Sequence, residues 1–110
     1  MSLQRDVGVV VVAGGRGARA GGGVPKQYRL LGNVPVLLRA LRPFLAHPAV
    51  DRVVAVLPAS DVAAPPEWLC PLIGDRLVLA SGGADRMGSV EQGIAQLPTS
   101  TAVVVVHDGA

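Results

Sequence analysis

VVVVAGGRGARAGGGVPKQY, from Val9 to Tyr28, decides how this chain is read. It starts as an uncharged β-branched run and breaks at Ala13-Gly14-Gly15 into a segment with six glycines, among which stand Arg16 and Arg19, with Lys26 just beyond. A buried strand that delivers a glycine loop is suited to an anion. Without a Cβ in the way, successive backbone N–H groups approach phosphate oxygens closely and form a concave set of donors. Arginine adds a planar fork and lysine a compact point charge. These residue types describe a polyphosphate site.

Working outward, the 110 residues fit one small domain, and a hydrophobic share of 50% supplies apolar area for a core. Only Tyr28, Phe44 and Trp68 are aromatic, so that core must be aliphatic. The formal charge is +2 and the basic residues are scattered, which excludes a nucleic-acid footprint. A single cysteine, Cys70, excludes an internal disulfide. There is no signal peptide and no apolar run of about 18 residues, the length a membrane span needs. A cytoplasmic setting is the expectation.

Val7 to Ala13 reads as a strand apolar on both faces, as central parallel strands are. Pro25 keeps Val24 out of the helical region, so the Lys26 segment is extended or turn-like. Gly32-Asn33 marks a turn. Val36 to Ala46 has helical spacing, with Pro43 expected to shorten or kink it. Val50 to Leu57 is a second strand, ended by Pro58. Ser60 to Gly74 looks like an irregular helix around Trp68, Leu69, Leu72 and Ile73. Arg76 to Ala80 is a short strand running into Ser81-Gly82-Gly83. A helix follows from about Asp85 to Leu97, with Met87, Val90, Ile94 and Leu97 on one face, and Ala102 to Val106 is a fourth strand, again doubly apolar. Strands alternating with helices predict an α/β fold, a parallel sheet covered on both faces with ligands at the carboxyl ends of its strands. The chain stops at Ala110, directly after a strand that needs neighbours, so the expectation is an incomplete domain: the N-terminal portion of a longer protein.

A P-loop is excluded, because no Gly-Lys-Ser or Gly-Lys-Thr occurs. Gly15-x-Gly17-x-x-Ala20 matches a dinucleotide fingerprint, but Gly21 to Pro25 would break the helix it must open, and Pro58 stands where a ribose-binding acid belongs. A dinucleotide-dependent oxidoreductase is thus an alternative only.

Ala13-Gly14-Gly15-Arg16-Gly17-Ala18-Arg19, Pro25-Lys26-Gln27-Tyr28, Gly82 to Val90 and His107-Asp108-Gly109-Ala110 together resemble the 2-C-methyl-D-erythritol 4-phosphate cytidylyltransferases of the non-mevalonate isoprenoid pathway. Ribitol-5-phosphate cytidylyltransferases share much of the pattern and remain an alternative, as does a non-catalytic nucleotide-binding module. The resemblance implies a Rossmann-like nucleotidyltransferase fold, with residues 1–110 as the CTP-binding portion of one domain. It implies CTP as substrate, Mg²⁺ as cofactor, a sugar-alcohol phosphate as CMP acceptor, pyrophosphate as product and a homodimer in the full-length form. Arg19 and Lys26 match the pair that stabilises the transition state, and Gly14, Gly15 and Gly17 match the triphosphate cradle. Ala13, Gly83, Ala84 and Ser89 match positions that hold cytosine and ribose, and Asp108 matches a nucleotide-binding acid that helps hold Mg²⁺. Gly109 departs from the pattern, replacing an alanine of an Ala-Ala-Arg-Pro-like segment, and the acceptor-binding residues of the family lie further on. These 110 residues alone are expected to turn over nothing.

The remaining residues have plainer readings. Arg16 is solvated or peripheral, and Arg86 caps its helix or pairs with Asp85 or Glu91. Ser89 alone could bond its own helical turn. His107 reads as structural, and Cys70 and Met87 as core.

Overall fold

In the computed structural model, residues 5–13 and 24–109 are described. Four parallel strands form the main sheet: β1 (Val7–Val12), β4 (Val50–Leu57), β5 (Leu77–Ser81) and β6 (Val103–Asp108), in the order β5-β4-β1-β6. Two short antiparallel strands, β2 (Leu30–Leu31) and β3 (Val34–Pro35), flank Gly32-Asn33. Both turn residues have positive φ, 61° and 66°, the pair of values that a two-residue hairpin turn requires.

The doubly apolar strands work as their composition predicts, because alternate residues serve opposite faces. Val9 and Val11 of β1, with Val53, Ala55 and Leu57 of β4, pack beneath helix α1 (Val36–Ala46), which buries Leu37 and Leu41 completely. Leu69, fully buried, and half-buried Trp68 close the same face. Val10, Val54, Val56 and Ala80 face the other way, toward Leu97 and helix α3 (Arg86–Ile94). The parallel sheet covered on both faces is therefore present.

Several local expectations need correction. Pro43 lies inside α1 without shortening it, since the helix runs on to Ala46. Proline removes one intrahelical bond and crowds the carbonyl four residues back, and the burial of Leu37 and Leu41, six and two residues earlier, holds the helix on the sheet against that cost. The Ser60–Gly74 stretch is not one helix. Helix α2 (Ala59–Ala63) ends where Ala64 leaves the helical region ahead of Pro65-Pro66, and a separate 3₁₀ turn covers Cys70–Leu72. That turn buries Leu69 on one side and leaves Cys70 exposed rather than in the core.

Helix α3 differs in the face it buries. Met87 is 72% exposed and Ile94 is also exposed, whereas the buried positions are Ser89 and Gly93. A Cβ on Gly93 would lie 2.4 Å from Val10 Cγ1 and 3.0 Å from Val56 Cγ2, so the helix backbone lies almost on the strands. Small residues set that distance, and the larger ones are turned outward. Finally, β6 opens with four valines, as apolar a run as that of β1, but is exposed along most of its length, because among the described residues only β1 pairs with it.

Candidate functional site

The strand register aligns the carboxyl ends of the sheet. Val12 pairs with Val56 on one side and with Asp108 on the other, while Leu57 pairs with Ser81. Ala13, Pro58, Gly82 and Gly109 thus leave the sheet along one edge. Backbone bonds tie these exits together: Ala13 N–H donates to the Val56 carbonyl (2.8 Å), Gly82 N–H to Leu57 (2.8 Å) and Gly109 N–H to Val12 (2.9 Å).

The β5 exit is built around a short polar motif. Asp85 caps α3, its Oδ1 accepting from Gly88 N–H at 2.7 Å. Ser89, 3% exposed, turns its Oγ back to accept from Gly83 N–H at 3.1 Å. The hydroxyl therefore holds the loop before the helix instead of bonding its own turn. Gly83 is required by this approach, since a Cβ there would lie 2.7 Å from the Gly88 carbonyl carbon, which is backbone and cannot swing aside. Ala84 is exposed beside it.

Arg86, first residue of α3, reaches across the edge and donates from one guanidinium nitrogen to Asp108 Oδ1 at 3.0 Å. It pairs with neither Asp85 nor Glu91, the partners its position in sequence suggested. The Asp85 carboxylate is occupied by the cap, and Arg86 reaches the β6 exit rather than Glu91 in the second turn of its own helix. With the two side chains 60% and 65% exposed, the pair contributes at most about 1 kcal/mol to stability, so its consequence is placement. In strand order β1 stands between β4 and β6, and the pair bridges the β5 and β6 exits on either side of it. His107 stacks edge-on against Phe44, with ring centroids 5.5 Å apart, in keeping with a structural role.

Lys26 is exposed at the start of a 3₁₀ turn, Lys26–Tyr28, which packs against α1. The segment is joined to the first residue of α1 by a bond from Val36 N–H to the Arg29 carbonyl (2.8 Å). One residue on, Leu37 lies under the β6 exit, where its Cδ1 would be 3.1 Å from a Cβ on Gly109. Lys26, Ala13, Gly83, Ser89 and Asp108 therefore belong to elements that meet at one end of the sheet. Gly14, Gly15, Arg16, Gly17 and Arg19 lie outside the described residues.

Two contacts escaped the sequence reading. Arg86 with Asp108, and Tyr28 with Asp61 (2.7 Å), join positions far apart in the chain that no spacing rule connects. Gly93 did carry a signal, since a glycine inside a helix often marks a close approach.

Comparison with known proteins agrees with this geometry. The model of the IspD family, 2-C-methyl-D-erythritol 4-phosphate cytidylyltransferase, matches residues 7–110. The bifunctional enzyme IspD/IspF of Rhodopseudomonas palustris (strain BisA53) is 40% identical over 100% of this chain and 27% of its own length. The 2-C-methyl-D-erythritol 4-phosphate cytidylyltransferase of Roseobacter denitrificans is 43% identical over 94% of this chain and 45% of its own length. A crystal structure of 4-diphosphocytidyl-2C-methyl-D-erythritol synthase from Anaerococcus prevotii superposes with a TM-score of 0.76 over 96% of this chain and 43% of that one; at 21% identity it supports the fold. The chain spans less than half the length of each of these proteins. The match over residues 7–110 places this chain in the 2-C-methyl-D-erythritol 4-phosphate cytidylyltransferase family.

Proposed function

We propose that this chain is the CTP-handling part of an enzyme that transfers CMP from CTP to 2-C-methyl-D-erythritol 4-phosphate and releases pyrophosphate. The observation that carries the reading is the common edge: Ala13, the Gly83–Ser89 loop and the Arg86–Asp108 pair stand at adjoining strand exits, with Lys26 on the turn beside them. The acceptor's phosphate oxygen attacks the α-phosphorus of CTP and the bond to the pyrophosphate oxygen breaks. Negative charge spreads over the phosphoryl oxygens in between, so catalysis here is positioning plus fixed positive charge. Lys26 supplies that charge from the described residues, and Arg19 is its proposed partner. Gly14, Gly15 and Gly17 are proposed as the triphosphate cradle. Ala13, Gly83, Ala84 and Ser89 hold the nucleoside, with Ser89 fixing the loop whose backbone faces it.

Mg²⁺ fits the donor set. Among the described residues no three His, Cys, Asp or Glu side chains converge, but Mg²⁺ commonly takes one or two carboxylates and completes its shell with substrate phosphates and water. Asp108, exposed at the strand end, is the carboxylate proposed to hold it, and the ion would neutralise charge on the triphosphate. A homodimer is proposed from the family resemblance, and a cytoplasmic location from the single cysteine of the sequence; among the described residues no helix is long and apolar enough to cross a membrane.

The test is pyrophosphate release by the natural full-length protein with CTP, Mg²⁺ and 2-C-methyl-D-erythritol 4-phosphate. Turnover that requires this acceptor supports the reading. Turnover with ribitol 5-phosphate instead would reassign the acceptor, CTP binding without transfer would indicate a nucleotide-binding module, and NADH binding would favour an oxidoreductase.

A further inference from the structure

We infer that Asp61 is a positioning residue, which acts through Tyr28 to hold the turn that carries Lys26. The inference rests on the reading of Lys26 as a cation for the transferred phosphoryl group. The Tyr28 hydroxyl donates to Asp61 Oδ2 at 2.7 Å, joining the 3₁₀ turn to α2 across 33 residues of sequence. Gln27, the middle residue of the turn, is buried. Just past the turn, the Arg29 carbonyl is held by Val36 N–H. The segment is thus buried at its middle and fastened on its C-terminal side through Tyr28 and Arg29, while Lys26 itself is exposed.

The anchor stands in a meaningful place. Helix α2 starts at Ala59, directly after the β4 exit, and Leu57 at that exit also accepts from Gly82 N–H. Asp61 therefore ties the lysine turn to the same strand ends that carry the Gly83–Ser89 loop. A lysine side chain has several rotatable bonds, and fixing its backbone limits where the ammonium can go. A charge that must meet the phosphoryl oxygens at one moment of the reaction loses rate steeply with small displacements. Burial and the neighbouring Asp61 carboxylate both favour the protonated phenol, so the donor in this bond persists at neutral pH.

The natural full-length protein provides the test, with steady-state CMP transfer followed by pyrophosphate release. Wild-type turnover decides the functional reading first; without it, both that reading and this inference fall. Given turnover, Tyr28→Phe and Asp61→Ala are each expected to lower kcat about tenfold, with the KM for CTP changed by no more than about twofold. Asp61→Asn keeps an acceptor oxygen and should recover most of the loss. Tyr28→Phe retains the buried ring, so it reports on the bond in a folded protein. In a Lys26→Ala background the same substitutions should cost nothing further, because the lysine they position is gone. An unchanged kcat in an otherwise active enzyme, or a full additional loss on top of Lys26→Ala, would overturn the role of Asp61 and leave the functional reading standing.

Discussion

The two faces of the sheet are closed by different means. Under α1 the contact is made by large aliphatic side chains, Leu37 and Leu41 against Val9, Val11, Val53 and Ala55. Under α3 itself it is made by small residues, since Gly93 rests against Val10 and Val56 and Ser89 is turned toward Gly83, with Leu97 just beyond the helix covering the rest. The first face buries area and contributes stability. The second gives up area to bring a helix and the loop before it close to the strand ends, which is what a nucleotide site built largely from backbone groups needs. Stability and ligand geometry are separated here by face.

Substitutions can break or sharpen that contrast. Leu41→Ala leaves a void under α1 and is expected to cost about 2–5 kcal/mol of stability, read as a lower urea midpoint, with CTP affinity preserved wherever the protein remains folded. Loss of CTP binding in a still-folded Leu41→Ala protein would erase the distinction. Gly93→Ala forces α3 off Val10 and should cost about 1–3 kcal/mol. Unlike the first change, it should also weaken CTP binding in the folded protein, measured by calorimetric titration, because Ser89 moves with the helix. Ser89→Ala removes the acceptor for Gly83 N–H and should lower stability by about 1 kcal/mol, while raising the KM for CTP more than stability alone would explain.

The smallest effect is a pH dependence on the α1 side. The Tyr28 phenol is raised above its ordinary value of 10.0, first by burial and then by the bond to Asp61 and its negative charge. The folded state thus binds this proton more tightly than the unfolded state. The resulting stability is complete below pH 10.0 and is lost as the pH climbs above it. Tyr28→Phe has no such proton, so its stability should fall less steeply above that pH in denaturant titrations. Parallel curves for the two proteins would mean that the bond contributes nothing.

Much of this architecture was legible in the residues. Val7 to Ala13 and Val50 to Leu57 read as strands because both their faces are apolar, and α1 read as a helix because Leu37, Leu41 and Phe44 repeat at its period. Reading α3 by the same rule failed, because periodicity tracks large apolar residues and this helix packs by its small ones. The rule also took Met87 for core, when the residue faces outward at the start of that helix. At the site, Gly83, Ser89 and Asp108 were named from motif resemblance, and the structure adds what joins them: a hydroxyl folded back on a loop and an arginine that spans the edge. Such links depend on which strand ends become neighbours, and sequence spacing carries no record of that.

The strand order also dictates a sequence of events during synthesis. Of the described strands, the one holding Val7 leaves the ribosome first, yet its partners are Val50 and Val103, so β1 cannot be sandwiched until almost all of these residues have emerged. Parallel pairing over such separations is slow, and an uncharged run of valines waiting for its neighbours is the kind of segment that associates with other nascent chains. Protection of that interval is therefore expected to matter to yield in the cell alongside the stability of the finished sheet.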